Sequence, residues 1–261
     1  MAALQLLWVF FRQAALNELQ YRSNFYVAVF RSIVGLGAGL GSLAVVFSHT
    51  QQLGGWRLDE LVALLGVYTL VGGAINTLVR PSMNKLMEDV RQGTLDFALT
   101  KPADSQVLIS VREVQIWKLI DVAVGVALLA YALARIGADV GPGQALAFGI
   151  ALLSGGAIVY SFWLFLATLS FWLVRVENIL VIFQSMWEAG RWPVTIYPGW
   201  LRVTLTFVVP VAFATTVPAQ AIAGRLDATA LAGAVALAAA MLVASRVFWR
   251  VGVRRYSGAS A

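Results

Sequence analysis

The sequence contains no cysteine and one histidine, His49. Disulfides, thiol catalysis and cysteine-built metal sites are thereby excluded, and a lone imidazole makes no metal cluster. Charge is scarce as well: 12% of the 261 residues are Asp, Glu, Lys or Arg, against about 25% in an ordinary soluble domain. Nucleotide-binding loops are missing. Residues 35–42 read GLGAGLGS, with Leu40 where a dinucleotide fingerprint needs glycine, no strand before it and no Lys-Ser or Lys-Thr after it. A membrane-embedded enzyme finds no Gly-x-Ser-x-Gly elbow, no histidine pair and no paired carboxylates on one mid-membrane face. No internal repeat of useful length is visible, which counts against an inverted-repeat secondary transporter. The start, MAALQLLWVFFRQ, lacks a basic n-region and a small-x-small cleavage site, so no removable signal peptide is expected.

What is present is apolar. Hydrophobic residues make up 60% of the chain, in runs long enough to cross a bilayer at about 20 residues each. The expected fold class is an all-α polytopic membrane protein of six transmembrane helices, a single domain over residues 1–261. Spans are predicted at about 25–47, 61–79, 111–134 and 144–174, then a short one from Asn178, then 228–248. In residues 2–22, Leu4, Leu7, Trp8, Phe11, Ala15 and Leu19 share one helical face, and Gln5, Arg12, Gln13 and Gln20 lie roughly opposite. That pattern predicts an interfacial helix in the headgroup region, with an ordinary first bundle helix as the alternative. In the first span, Gly35/Gly39 and Gly37/Gly41 form small-xxx-small pairs, read as helix-packing positions rather than a phosphate loop. Asn76 and Thr77 are expected to hydrogen-bond between helices.

One segment cannot lie in lipid. Residues 80–110 carry Arg80, Lys85, Glu88, Asp89, Arg91, Asp96, Lys101 and Asp104, and each charge at the bilayer centre would cost at least about 2.5–3.5 kcal/mol. Within it, Met83, Leu86, Met87 and Val90 have the spacing of one helical face. Pro81 suits the first turn of a helix, Gly93 its C-terminal cap, and Lys85 and Asp89 can pair one turn apart. A short amphipathic helix in a polar loop between two spans is predicted to be a docking element. If the chain termini share its side of the membrane, fourteen of the nineteen Lys and Arg residues lie on that side. By the positive-inside rule that side is cytoplasmic.

The run VRQGTLDFALTKP resembles the sequence between the second and third spans of bacterial ABC exporter permeases of the type 2 export class. Arg91, Gly93, Leu95, Asp96, Lys101 and Pro102 match a subgroup whose loop reads Arg-x-Gly-x-Leu-Asp and then basic-Pro. Downstream, Pro193, Tyr197, Pro198, Leu201, Arg202, Pro210 and Pro218 resemble the same subgroup's region before the last span. The resemblance implies that residues 80–104 form a cytoplasmic coupling loop and that residues 191–224 hold re-entrant outer helices. It implies a second permease protomer, identical or related, over a dimer of cytoplasmic ABC ATPases that carry the ATP and magnesium, none of it bound by this chain. The chain itself would be a transport subunit and not an enzyme, multi-pass in a bacterial plasma (inner) membrane, with both termini cytoplasmic. Its remaining surroundings would be lipid, with no nucleic acid.

On this reading the ATPase-docking residues are Glu88, Asp89, Arg91, Gly93, Thr94, Leu95, Asp96, Phe97, Lys101 and Pro102. Trp192, Tyr197, Trp200 and Phe207 are candidates for an outer gate or substrate path; an aromatic belt at the headgroups explains them equally. An apolar, aromatic cavity would suit an apolar or amphiphilic substrate. The competing function is an ion- or proton-coupled secondary transporter or channel without an ATPase. It needs ionisable residues deep in several spans, whereas the carboxylates here cluster near predicted membrane boundaries.

Overall fold

The computed structural model describes residues 10–12, 16, 22–137, 141–173 and 177–256. The interfacial helix expected over residues 2–22 lies almost entirely outside them, as does the turn at Arg175. Among the described residues every regular element is a helix, and the only β contact is an isolated bridge between Leu53 and Trp56. Among the described residues five helices are long and apolar enough to cross a membrane, or six if the bent segment Gly199–Ile222 counts as one span. The protein is an all-α polytopic membrane protein.

Helix α1 (Arg22–Phe47) is the least covered of the early elements, with many large apolar side chains outward. Helix α2 (Leu58–Ala74) runs through a π turn (Ile75–Val79) directly into α3 (Arg80–Gln92). Together they form one 35-residue helix, about 52 Å long at 1.5 Å per residue, against about 30 Å of hydrocarbon. Its far end therefore stands outside the bilayer. The separate helix expected to begin at Pro81 is instead the continuation of the second span. The reason is local. Pro81 has no N–H to give its i−4 carbonyl, that of Thr77. The backbone widens there, Arg80 N–H bonds the carbonyl of Ile75, and the freed Thr77 carbonyl accepts Gln115 N–H at 2.9 Å.

After Gly93 come two short helices, α4 (Asp96–Leu99) and α5 (Ser105–Val111), then a 3-10 turn (Ile116–Lys118) leading into α6 (Leu119–Ile136). The third span thus starts about five residues later than the hydropathy suggests, because Arg112 and Glu113 are held against α3 and Gln115 against the π turn. Helix α7 (Pro142–Thr168) follows, and α8 (Glu177–Ala189) has only 13 residues. The chain then turns through Val194–Ile196 into α9 (Gly199–Val203), a second π turn (Thr204–Val208), α10 (Val211–Ala214), α11 (Thr216–Ile222) and the last span α12 (Ala228–Arg255).

The segment Gly199–Ile222 is bent by 71° at Val209 and Pro210. Both of its flanks meet the α1–α2 connection. Ile196 occupies the space a side chain on Gly54 would need, and Arg225 Nη1 donates to Gly55 O at 2.7 Å. The segment therefore leaves and returns at one end of the bundle, opposite the end that carries α3–α5.

Close glycine contacts set the packing. A Cβ on Gly125 would lie 2.5 Å from Leu70 N, and one on Gly73 would lie 2.7 Å from Val122 N, so α2 and α6 touch backbone to backbone. Gly155 of α7 meets Phe213 O in the same way at 2.6 Å. Small residues permit this approach where no hydrophobic drive separates helix from lipid. Of the four glycines singled out in α1, Gly39 meets Leu65, while Gly35, Gly37 and Gly41 have nothing within 4 Å of a built Cβ.

Candidate functional site

The charged loop is built on one face of α3. Met83 and Leu86 are fully buried in the core, and Met87 and Val90 pack against it. The helix ends where Gly93 takes φ 70°, and its N–H bonds the carbonyls of Asp89 and Val90. A left-handed residue at that position is the ordinary glycine stop. On the polar side Lys85 Nζ lies 3.2 Å from Asp89 Oδ1 and 3.3 Å from Glu88 Oε2, and Gln92 Nε2 donates to Glu88 Oε1 at 2.9 Å.

Asp89 is the loop's internal brace. Its side chain is 7% exposed, Arg112 Nη2 sits 2.6 Å from its Oδ2, and Thr94 Oγ1 donates to its Oδ1 at 3.2 Å. The Arg112 contact is ionic rather than a well-aligned hydrogen bond, since Nη2 and Nε find no aligned acceptor. Beside it, Ser82 Oγ and the backbone of Glu113 bond reciprocally at 3.1 and 3.2 Å. These contacts join α3 to the strap that starts the third span.

A second set of contacts joins the loop to α7 and α12. Asp104 caps α5 by accepting Val107 N–H at 3.2 Å, and it forms an ion pair with Arg246. Arg246 Nη1 also donates to Asp104 Oδ1 at 2.8 Å and to Gln106 Oε1 at 2.9 Å. Hydrogen bonding to Arg246 holds the Asp104 carboxyl down at about 2. Trp249 Nε1 donates to Ser105 Oγ at 3.3 Å, while Tyr160 of α7 bonds Gln106 at 3.2 Å and Ser110 at 2.8 Å.

The expected docking residues divide into two groups. Phe97 is 77% exposed, and Arg91, Lys101 and Pro102 are also exposed. Glu88, Gly93, Thr94 and Asp96 are partly covered at the edge of the same surface. Asp89 and Leu95, in contrast, are buried and hold the loop from within. A cavity of about 410 Å³ opens beside them, lined by Asp89, Thr94, Phe97, Lys101, Arg112 and Glu113 among others. Arg112, Tyr160, Arg246 and Trp249 were not among the expected residues. Their partners lie far away in sequence, and no local pattern announces them.

The four aromatics before the last span do not converge. Tyr197 donates its hydroxyl to Ala189 O at 2.9 Å, and Trp192 and Tyr197 pack against the core. Trp200 and Phe207 project outward, 71% and 72% exposed. Asn76 and Thr77, expected to bond between helices, bond within their own: Thr77 Oγ1 donates to Gly73 O at 2.8 Å, and Arg80 Nη1 reaches Asn76 Oδ1 at 3.5 Å. Among the described residues no group of histidines and carboxylates is placed to hold a metal ion.

The loop thus combines an exposed tip, a buried ionic brace and separate ties to three spans. No curated protein and no solved structure matches the chain. The signature of the ABC-2 family transporter proteins, however, matches residues 34–260, nearly its whole length. The chain therefore belongs to the ABC-2 transporter family, as a multi-pass membrane permease.

Proposed function

We propose that this chain is the membrane half of an ATP-driven exporter, and that a separate pair of ABC ATPases docks on the loop between Arg80 and Pro102. The observation that carries this reading is the loop's two-sidedness. Its tip offers Arg91, Asp96, Phe97, Lys101 and Pro102 to a partner, while Asp89–Arg112 and Asp104–Arg246 tie its two arms to the spans. A load applied at the tip is then delivered to α2, α6, α7 and α12 together, rather than absorbed by a floppy connection. ATP and magnesium would reside on the partner, whose closure would move these helices as a unit. Such a shift requires that the partner contact the loop differently in its two nucleotide states.

On the same reading the loop end is cytoplasmic in a bacterial plasma membrane, together with both termini. A second permease protomer, identical or related, would pack on α1. That helix exposes Tyr26, Phe30, Ile33 and Val34 as well as the open positions at Gly37 and Gly41.

The test is Asp96→Lys. It should abolish ATP-dependent transport and co-purification of the ATPase while leaving the chain inserted and folded. Full transport by the variant, or by the wild-type chain with no ATPase present, would favour an ion-coupled mechanism instead.

A further inference from the structure

A second cavity, of about 250 Å³, lies inside the bundle between α1, α2, α6, α7 and α8. It runs from Arg80, at the loop end of the long helix, to Tyr68 near the middle of the second span. Its walls carry three arginines, Arg31, Arg80 and Arg191, and two carboxylates, Asp121 and Glu188. Charged groups within membrane spans are costly and normally paired. Asp121 is provided for, since Ser32 Oγ donates to it at 2.7 Å and Lys118 lies 3.9 Å away.

The arginines are not matched in this way. Arg80 Nη2 donates to the neutral Gln184 Oε1 at 3.0 Å. Arg191 lies over the Tyr68 ring at 5.4 Å with Glu188 near enough to act on its charge, though not in an ion pair, and its buried Nε has no hydrogen-bond partner. Among the described residues neither these two nor Arg31 has a carboxylate oxygen within ion-pair distance. Three guanidiniums thus face one space without an ion pair, and with three arginines against two carboxylates the lining carries a net positive charge.

The rest of the cavity is apolar, with Leu65, Val124, Trp163 and Phe183 forming its wall. Its rim, where Arg31 and Gly35 of α1 approach Gln184 and Glu188 of α8, is exposed. Nothing lies within 4 Å of a Cβ built on Gly35, so that side stays open. Whole-ligand pockets run to about 300–1,000 Å³. This one is sized for a headgroup, not for an entire lipid.

We propose that the cavity takes the acidic headgroup of an amphiphile, a phosphate or carboxylate held by Arg31 and Arg80 at its loop end, with Arg191 adding positive charge deeper in and the hydrocarbon chain leaving between α1 and α8. Planar, bidentate guanidiniums suit such groups. The amphiphile would come from the leaflet at the loop end. As a statement of substrate class this rests on the exporter reading above, but the binding site itself does not need an ATPase.

The experiment measures equilibrium binding to the purified chain in phosphatidylcholine nanodiscs, against empty discs, with no ATPase present. The probes are dodecyl phosphate, dodecyltrimethylammonium and inorganic phosphate. Dodecyl phosphate should saturate at one site per chain, at least about tenfold more tightly than inorganic phosphate, and the cationic amphiphile should show no saturable binding. Arg31→Gln and Arg80→Gln should each weaken dodecyl phosphate about tenfold, the loss expected for one charge-assisted contact. Arg135→Gln, at the opposite end, should leave it unchanged. Equal binding of both amphiphiles, equal binding of inorganic phosphate, or unchanged affinity in both cavity variants would overturn the proposal. If the variants fail to insert, the comparison of probes on the wild-type chain decides. A wild-type chain that binds dodecyl phosphate but co-purifies with no ATPase would remove the exporter reading and keep the site; one that co-purifies with an ATPase but binds no dodecyl phosphate would remove the site alone.

Discussion

Arg112, at the start of the strap into the third span, reaches back to Asp89 on the continuation of the second, with Nη2 2.6 Å from Oδ2. With the Ser82–Glu113 bonds beside it, this contact closes the charged loop into a bracket. Both groups are largely covered, at 14% and 7% exposure. Removing Asp89 therefore leaves the covered Arg112 guanidinium without its carboxylate, at a cost of about 3–5 kcal/mol; removing Arg112 still leaves Asp89 its Lys85 contact. Asp89→Ala should lower the thermal midpoint sharply in detergent, and adding Arg112→Met should recover part of the loss. An Asp89→Ala protein as stable as wild type would show the bracket to be dispensable.

The tie between Asp104 and Arg246 predicts a pH dependence. Arg246 lowers the Asp104 carboxyl to about 2, below the ordinary value near 3.9. A depressed acid stabilises the folded state above its unfolded value, and that stabilisation is lost as pH falls through the folded value. Thermal stability should therefore drop between about pH 4 and pH 2, and Arg246→Gln should flatten that part of the profile. Because Asp104 is 41% exposed, the effect should be modest. Identical acid profiles for the two proteins would contradict the assignment.

Glycines of different surroundings should behave differently. At Gly125 a methyl group would meet the Leu70 backbone at 2.5–2.7 Å, which cannot yield as a flexible side chain does. Gly125→Ala should cost about 1–3 kcal/mol, the usual range for overpacking. Gly35→Ala, with nothing within 4 Å, should leave the stability of the single chain unchanged. Equal shifts in thermal midpoint would show that the α2–α6 contact does not set the packing.

The exposed tip makes the opposite prediction to the brace. Phe97→Ser removes a large apolar side chain that touches little within the chain, so the thermal midpoint should hold. ATPase association should fall at least about tenfold, as for loss of an apolar anchor worth over 1.4 kcal/mol. A destabilised protein with unchanged association would place Phe97 in the fold instead of the interface.

Much of the loop could be read from local spacing. The apolar face at Met83, Leu86, Met87 and Val90, the stop at Gly93 and the Lys85–Asp89 pair all depend on residues within one or two turns. Whether Asp89 faces a partner or the interior depends on Arg112, and whether Asp104 is free depends on Arg246, 142 residues away. Those contacts exist only once the spans are assembled. Pro81 illustrates the same limit. It reads as a helix start, yet the helix continues through it, because a π turn and Gln115 satisfy the backbone that proline disrupts. Glycine pairs misled for a related reason: periodicity marks candidate contact faces, but only the helix arrangement selects Gly66, Gly73 and Gly125 over Gly35, Gly37 and Gly41.

The central claim is that force enters this chain at the tip of the loop. The absence of native cysteine permits a direct test by single-cysteine cross-linking in native membranes, with products identified by mass spectrometry. Phe97→Cys should cross-link to a nucleotide-binding ATPase in high yield, with a yield that changes when ATP replaces ADP. Trp200→Cys, exposed at the opposite end, should give no such product. An ATPase adduct at residue 200, or none at residue 97 in membranes that still carry out ATP-driven export, would contradict the account.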